Sequence, residues 1–285
     1  MTNNDNNNNN NNPVFKAPML STMIDLEEIQ AKNLSNYYIS RKIDGIRCCI
    51  IIEEGSIKVL SRSFKPIRNT YVRVSIEEAF KNLNNIILEG ELVALKEGEE
   101  ADFSSTSSAI MSVNGQPKFK LNLFDCVVDN NFTSPARDRV EYLSNLELPY
   151  FACMIPQREV NTREELKAWL EELHKEGKEG IILRHKDSPY KQGRATAKEG
   201  YLFKFKFFDD CEMKVIGYKE ETVHEGRLGA ILMANNTWVG TGFSKQDRID
   251  LWTARESLMG RVAKIKCMGN TANRHPVFIA WEPYE

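Results

Sequence analysis

The sequence has no excess of charge of either sign: 38 Lys and Arg against 40 Asp and Glu leave a formal net charge of −2. No global basic field marks a nucleic-acid protein, so any such surface must be local. Apolar runs are short, and none approaches the length of a membrane span. The six cysteines, at 48, 49, 126, 153, 211 and 267, form no CxxC pair, and no Cys/His group has zinc spacing. Reduced thiols in a reducing compartment follow, the cytoplasm or nucleus of a host cell and not a secretory route. Four scattered histidines carry no metal motif, and no internal repeat is visible. The opening MTNNDNNNNNNN has neither an apolar core nor a basic amphipathic pattern, which excludes a targeting peptide there. Residues 1–12 are expected to be a disordered Asn-rich tail.

What is present is a globular composition, 41% hydrophobic and 27% charged over 285 residues. That length accommodates two domains with substantial cores. A short helix is expected over 25–33. Strands are expected at 46–52 and 57–60 around a Glu53-Glu54-Gly55-Ser56 turn. Ser75 and Glu78 read as a capping box ahead of the stripe Ile76, Ala79, Phe80, Leu83. Strands follow at 86–95 and 119–128. The clearest helix runs over 163–176, with Thr162 and Glu165 at its start, Leu166, Trp169, Leu170 and Leu173 on its buried face, and Gly177 at its stop. EGIILR and YLFKFKFF read as further strands, separated by a polar loop, 184–198, rich in Lys and Arg. Beyond Phe208 the texture changes to five short strands (212–218, 228–234, 237–240, 261–267, 276–281) and one helix-like stretch, 245–257. That pattern suits a small OB-fold β-barrel. The expected domains are therefore 13–208 and 209–285.

Charged clusters recur where strands begin or end: RKIDGIR (41–47), SRSFKPIRN (61–69), EGE (89–91), FD (124–125), EG (179–180) and KFK (204–206). Taken alone, KIDG reads as a turn with a solvated lysine. Phe124 alone reads as core, and Lys204 and Lys206 alone as a solvated strand face. Lys204 and Lys206 alternate on one strand and so share a face.

The six clusters, in this order, resemble the motif series of the covalent nucleotidyltransferases, which comprise ATP-dependent DNA ligases, RNA ligases and mRNA capping enzymes. SRSFKPIRN, SPYKQGRATAKEG and VGTGFSKQDRIDLW look most like the small DNA ligases of large viruses and phages. The similarity extends from about residue 15 to 281. It implies an α+β fold, with a nucleotidyltransferase domain of antiparallel sheets followed by an OB-fold barrel. It implies sealing of 5′-phosphate/3′-hydroxyl nicks in duplex DNA, with ATP and Mg²⁺ as cofactors. A monomer is expected, with no membrane association and no protein partner.

By this resemblance Lys42 is the nucleophile that forms lysyl-AMP. A lysine attacks a phosphate only when neutral, which partial burial or neighbouring cations favour. Gly45 allows close backbone approach. Asp44 acts in the sealing step, and Arg47 contacts the nucleotide sugar or the nick. Glu91 takes the AMP ribose or a metal, and Glu179 the metal, since phosphoryl transfer rests on positioning and charge neutralisation. Lys204 and Lys206 bind the AMP phosphate, Phe124 stacks on adenine, and Ser40 reads the adenine edge. Arg62 grips the 5′-phosphate, a bidentate task suited to arginine. Arg194 is a further active-site arginine. DNA phosphates are expected to meet Lys65, Arg68 and Arg73 on one side, and Lys186, Lys191, Arg194 and Lys198 on another.

Three departures stand out. Glu89-Gly90-Glu91 replaces the usual Asp-Gly-Glu. Only KEETVHEG (219–226) stands where a viral member of the family has a long DNA-closing insertion, which predicts weaker nick affinity. In RHPVFIAWEPYE, Arg274 is kept but Trp281 and Glu282 replace a usual basic residue near the pyrophosphate, which predicts slow self-adenylation. Three alternatives remain: an RNA ligase, an mRNA guanylyltransferase labelled by GTP, and a silent DNA-end-binding module. The joint presence of Lys42, Glu91, Glu179, Lys204 and Lys206 argues against the last.

Overall fold

The computed structural model describes residues 14–267 and 276–282. The chain divides into two compact units. One comprises the chain up to Leu170 together with Gly180–Phe205; the other comprises Glu171–Glu179 and the chain from Lys206 onward. The Asn-rich tail and Arg274 lie outside the described residues.

The first unit is built on two main sheets and a two-stranded pair, Met19–Leu20 with Gly193–Arg194. The larger runs in the order Ser56–Leu60, Ile46–Glu53, Ile86–Lys96, Phe119–Val128, Ala152–Met154. Its pairings are antiparallel except the last. The smaller runs Thr22–Met23, Leu202–Lys206, Gly180–His185, Tyr37–Arg41.

Both faces of the larger sheet are covered, which explains why CCIII shows no alternation of apolar and polar residues. Cys48, Ile50 and Ile52 join a core with Val72, Ile76 and Phe80 from the helix Thr70–Phe80, Ile110 from Phe103–Met111, and Leu143 from Ala136–Ser144. Cys49 and Ile51 point the other way. They join Ile87 and Val127 against Met19, Tyr190, Ala195 and Leu202, with Ile182 packed alongside. Burial of this kind stabilises each large aliphatic side chain by about 1.5–3 kcal/mol.

The helix expected to begin at Ser75 begins at Thr70 instead. Asn69 is its cap: the Asn69 side-chain oxygen accepts from the Val72 N–H at 2.9 Å. The same amide donates to the carbonyls of Ser112 and Asn114 at 3.1 and 3.2 Å. Asn69 thus satisfies a helix start and a loop end together, a service worth about 1 kcal/mol for the cap alone. Ser75 lies inside the helix, so the expected box does not form. Over Arg163–Lys175 the expectation holds. The Thr162 hydroxyl accepts from Glu165 N–H at 3.1 Å, and Gly177 takes φ 67° at the stop.

The second unit carries a five-stranded antiparallel sheet ordered Trp238–Val239, Leu228–Met233, Asp209–Glu220, Val262–Cys267, Val277–Trp281. Residues 209–214 of the long strand pair with Val262–Cys267, and residues 215–220 pair with Leu228–Met233. One strand therefore serves both halves of the sheet, bending at an irregularity between Val215 and Gly217. A parallel bridge between Thr241 and Val277 joins the two edges. Phe278 N–H donates to Thr241 O at 2.9 Å there, and Gly242, at φ 96°, is pressed so closely on the Phe278 backbone that no side chain fits. The result is the curled, closed barrel expected of the C-terminal part. The helix Lys245–Thr253 begins at a Ser244/Asp247 capping box.

Candidate active site

The residues of the KIDGIR segment are held from both sheets of the first unit. Lys42 follows directly on the Tyr37–Arg41 strand, and its backbone N–H donates to Gly180 O at 2.8 Å. On one side Arg41 makes a bidentate ion pair with Glu100, at 2.7 and 2.8 Å. Glu100 belongs to the short strand paired with the end of Ile86–Lys96. On the other side Ile43 is buried with Val93 and Ile155, and Phe124 packs against them. A Cβ on Gly45 would overlap the Leu92 carbonyl oxygen and would lie 3.0 Å from Glu91 Cγ. Only glycine lets the chain pass this close to the strand that carries Glu91. The lysine is thus fixed between two anchored neighbours.

Beyond Gly45, the register places Arg47 opposite Glu91 and Cys49 opposite Glu89. Arg47 lies on the same face as Cys49 and Ile51, at the end of the inter-sheet core. Its guanidinium donates to Glu89 Oε2 at 2.7 Å and to Met19 O at 3.2 Å, and it sits 4.5 Å over the Phe124 ring. The Cys49 thiol donates to the other Glu89 oxygen at 3.4 Å. The longer glutamate at position 89 is therefore engaged with both oxygens. Burial opposes the charge on Arg47 most strongly, but Glu89, Cys49, Glu91 and Tyr190 together outweigh it and raise its pKa. Arg47 Nε is buried and meets no hydrogen-bond partner among the described residues. A buried donor without a partner on a cation calls for an acceptor such as a water or a ligand oxygen.

Phe124 reaches this place through a β-bulge. Asp125 pairs with Glu89 and Leu123 with Gly90, so Phe124 is the extra residue between them. Beneath it Asp125 is fully buried between two arginines. Arg139 Nε donates to Asp125 Oδ1 at 2.8 Å, and Arg184 contacts Oδ2. Burial alone would raise the Asp125 pKa, but Arg139 and Arg184 overcome it and hold the carboxyl below its ordinary range. Burial drives Arg184 the other way, below the usual guanidinium range, while Arg139 stays above it. Arg139 also donates to Ser188 O at 3.0 Å. Sequence reasoning singled out FD but missed Arg139 and Arg184. No local spacing links them to Asp125.

The remaining expected residues fall as follows. Ser40 is buried in its strand opposite Ile182. Lys204 lies in the Leu202–Lys206 strand, whose Cα partner there is Met23. Arg62, Lys65 and Arg68 are all exposed on the 61–69 loop. Phe64 takes φ 59° in this loop and is anchored 5.4 Å from the Phe15 ring. Arg194 is exposed and donates to Ser21 O at 2.6 Å. Arg73 donates to Ile67 O at 2.7 Å, Lys186 pairs with Glu159 at 2.8 Å, and Lys191 pairs with Glu199 at 2.6 Å. These three are engaged within the protein; Lys198 stays exposed.

In the second unit Lys206 and Glu179 form an ion pair at 2.8 Å, with side chains 16% and 4% exposed. Phe207 N–H donates to Glu179 O at 3.1 Å, fixing the pair. At Trp281 a cation is present after all: the Arg261 guanidinium lies 4.1 Å over its ring. The connection between Asp209–Glu220 and Leu228–Met233 is short, closed by Glu221 N–H to Arg227 O at 2.9 Å.

A family model described as the ATP dependent DNA ligase domain matches residues 18–206. The chain belongs to that family. A DNA ligase of Nitrosopumilus maritimus is 27% identical over 263 residues, covering 82% of this chain and 45% of the relative. The chain spans less than half the length of these curated relatives that it matches. Among solved structures, the Chlorella virus DNA ligase-adenylate is 30% identical, covers 94% of this chain and 100% of its own, and gives a TM-score of 0.56. A Lig E DNA ligase shares the fold at TM-score 0.74 and 24% identity, over 94% of this chain and all of its own. The nucleotidyltransferase fold with a barrel-type second unit is thereby established for this ATP-dependent DNA ligase domain. Among the described residues, no helix is long and apolar enough to cross a membrane.

Proposed function

We propose that this chain seals 5′-phosphate/3′-hydroxyl nicks in duplex DNA, using ATP to form a lysyl-AMP at Lys42. The observation that carries the reading is the anchoring of the Lys42 segment from both sides: the Lys42 N–H on Gly180 O, and Gly45 pressed on the strand that carries Glu91. Lys42 Nζ attacks the α-phosphate, the N–P bond forms, and pyrophosphate leaves. AMP then passes to the 5′-phosphate of the nick, the 3′-hydroxyl attacks, and AMP is released.

Phe124 supplies the ring for the base, with Ser40 near its edge, and Arg47 the donor for a sugar or phosphate oxygen. Lys204 and Lys206 neutralise phosphate oxygens. Asp44 serves the sealing step, and Arg62 and Arg194 hold the 5′-phosphate and adjoining backbone, with Lys65 and Arg68 on flanking phosphates. Among the described residues, no group of three or more His, Cys, Asp or Glu gathers. Mg²⁺ is held beside nucleotides by one or two carboxylates plus phosphate oxygens and water. Glu91 and Glu179 are the carboxylates assigned to it, and the ion would neutralise charge on the transferring phosphoryl group.

The nucleotidyltransferase and OB-fold domains are assigned to 13–208 and 209–285, with the chain acting as a monomer inside the cell. Arg261, stacked on Trp281, supplies the positive charge that the altered last motif lacks.

The test is sealing of a 5′-phosphorylated nick with ATP and Mg²⁺, on all-DNA duplex and on a duplex whose nicked strand is RNA. Preferential sealing of the DNA nick, lost in Lys42→Ala, is expected. Preference for the RNA nick, or labelling by GTP instead of ATP, would overturn it.

A further inference from the structure

Two of the six cysteines meet in the second unit. Asp209 is opposite Cys267 and Cys211 opposite Ile265, so Cys211 and Cys267 are diagonal neighbours on one face of an antiparallel pair. Their sulfurs lie 3.0 Å apart. That is closer than ordinary sulfur packing. The bonded distance is about 2.05 Å, so the sulfurs must close by about a further 1 Å. Cys211 is half-buried and reachable from solvent, whereas Cys267 is buried and its thiol also points at Asp209 O, 3.4 Å away. The other four thiols are placed differently. Cys48 and Cys49 adjoin in sequence but face opposite sides of their strand. Cys126 donates to Arg139 O and Cys153 to Asn122 Oδ1.

We propose that Cys211 and Cys267 form an oxidisable dithiol, a modification site on which hydrogen peroxide or an organic hydroperoxide installs a disulfide. The half-buried Cys211 sulfur attacks the peroxide. Its S–O bond forms, the O–O bond breaks, and the leaving oxygen departs as water or alcohol. The Cys267 sulfur then attacks the sulfenyl sulfur of Cys211. The S–S bond forms, the S–O bond breaks, and water leaves with the Cys267 proton. Two thiols are oxidised and one peroxide is reduced. Burial, the Cys211 thiol and the carboxylates of Asp209 and Asp210 push Cys267 up to about 12, so it stays a thiol until Cys211 has reacted. The cross-link joins the start of the long shared strand to the Val262–Cys267 strand. It closes a long loop and restricts the unfolded chain. The site stands on the second unit alone and does not depend on the reading of Lys42.

The experiment treats the full chain with hydrogen peroxide, alkylates remaining thiols, and maps peptides by mass spectrometry. The expected product is one intramolecular peptide pair containing Cys211 and Cys267, lighter by two hydrogens. It is absent in Cys211→Ser and in Cys267→Ser, and present in Cys153→Ser. The oxidised chain is expected to melt roughly 10 °C higher in the second unit, reversibly with dithiothreitol. Full alkylation of both cysteines after peroxide, separate sulfinic acids without a cross-link, or pairing with Cys153 would each overturn the proposal. A lower melting temperature for the cross-linked form would contradict the claim that the strands already hold the sulfurs ready.

Discussion

Asp125→Asn removes one negative charge and leaves two guanidiniums facing each other in the core. Asp125 is 0% exposed, Arg139 3% and Arg184 4%, so water does not screen the change. Breaking a buried pair by deleting one partner costs about 3–5 kcal/mol, since the remaining charge is uncompensated. Here both Arg139 and Arg184 lose their carboxylate, so the upper half of that range is expected. That is a large share of a domain's total of about 5–15 kcal/mol. The assay is urea denaturation of the full chain at neutral pH, followed by a probe in the first unit. The triple variant Asp125→Leu/Arg139→Met/Arg184→Met removes all three charges and is expected to lose far less, because apolar replacement of an entire buried ion group is often close to neutral.

The pH dependence has a fixed sign. The folded pKa of Asp125 is lowered, so its contribution is fully present above the ordinary value of about 3.9 and is lost as pH falls through the folded pKa. Wild type and Asp125→Asn should therefore converge only in that acid window. A loss below about 1 kcal/mol for Asp125→Asn, or an equal loss in the triple variant, would refute the reasoning. Because Phe124 occupies the bulge directly before Asp125, the single variant should also weaken ATP binding.

Gly45→Ala should lower adenylation by about a hundredfold while leaving the circular dichroism spectrum unchanged, since a displacement near 1 Å at the nucleophile has that effect. Its measurement is transfer of labelled AMP from ATP; near-normal labelling would show that the Leu92 carbonyl can yield. Glu100→Ala should lower the adenylation rate about ten- to a hundredfold, with less than about 1 kcal/mol lost in stability, because the pair is partly exposed. The reversed pair Arg41→Glu/Glu100→Arg should recover much of that rate, and no recovery would reduce the pair to a surface contact.

Lys42, Arg47, Glu89, Glu91 and Phe124 could all be named from the chain, because each belongs to a short cluster whose order along the sequence resembles the family's motif series; taken singly, Glu89, Glu91 and Phe124 lie inside strands and carry no such signal. Strand Phe119–Val128 was legible with its bounds, as its β-favouring residues alternate with Lys120 and Asn122 and stop at the Asp129-Asn130-Asn131 turn. The helix Phe103–Met111 was not. FSSTSSAIM is a poor helix former, and the Asp102 cap with burial of Thr106 and Ile110 makes it one. Asn69 escaped notice for a similar reason. Its four carbonyl contacts lie more than thirty-nine positions away in sequence.

The sequence by itself determined the family's motif residues, their order along the chain and the change to a β-rich second part. Those depend on residue type and local order, which survive without coordinates. Tertiary structure alone decided how Lys42 is held, which arginines become part of the core and which cysteines meet. Those are contacts between residues far apart along the chain. Arg139 and Arg184 look like any surface charges until strand pairing and burial bring them onto one aspartate, where the low dielectric makes their charges count.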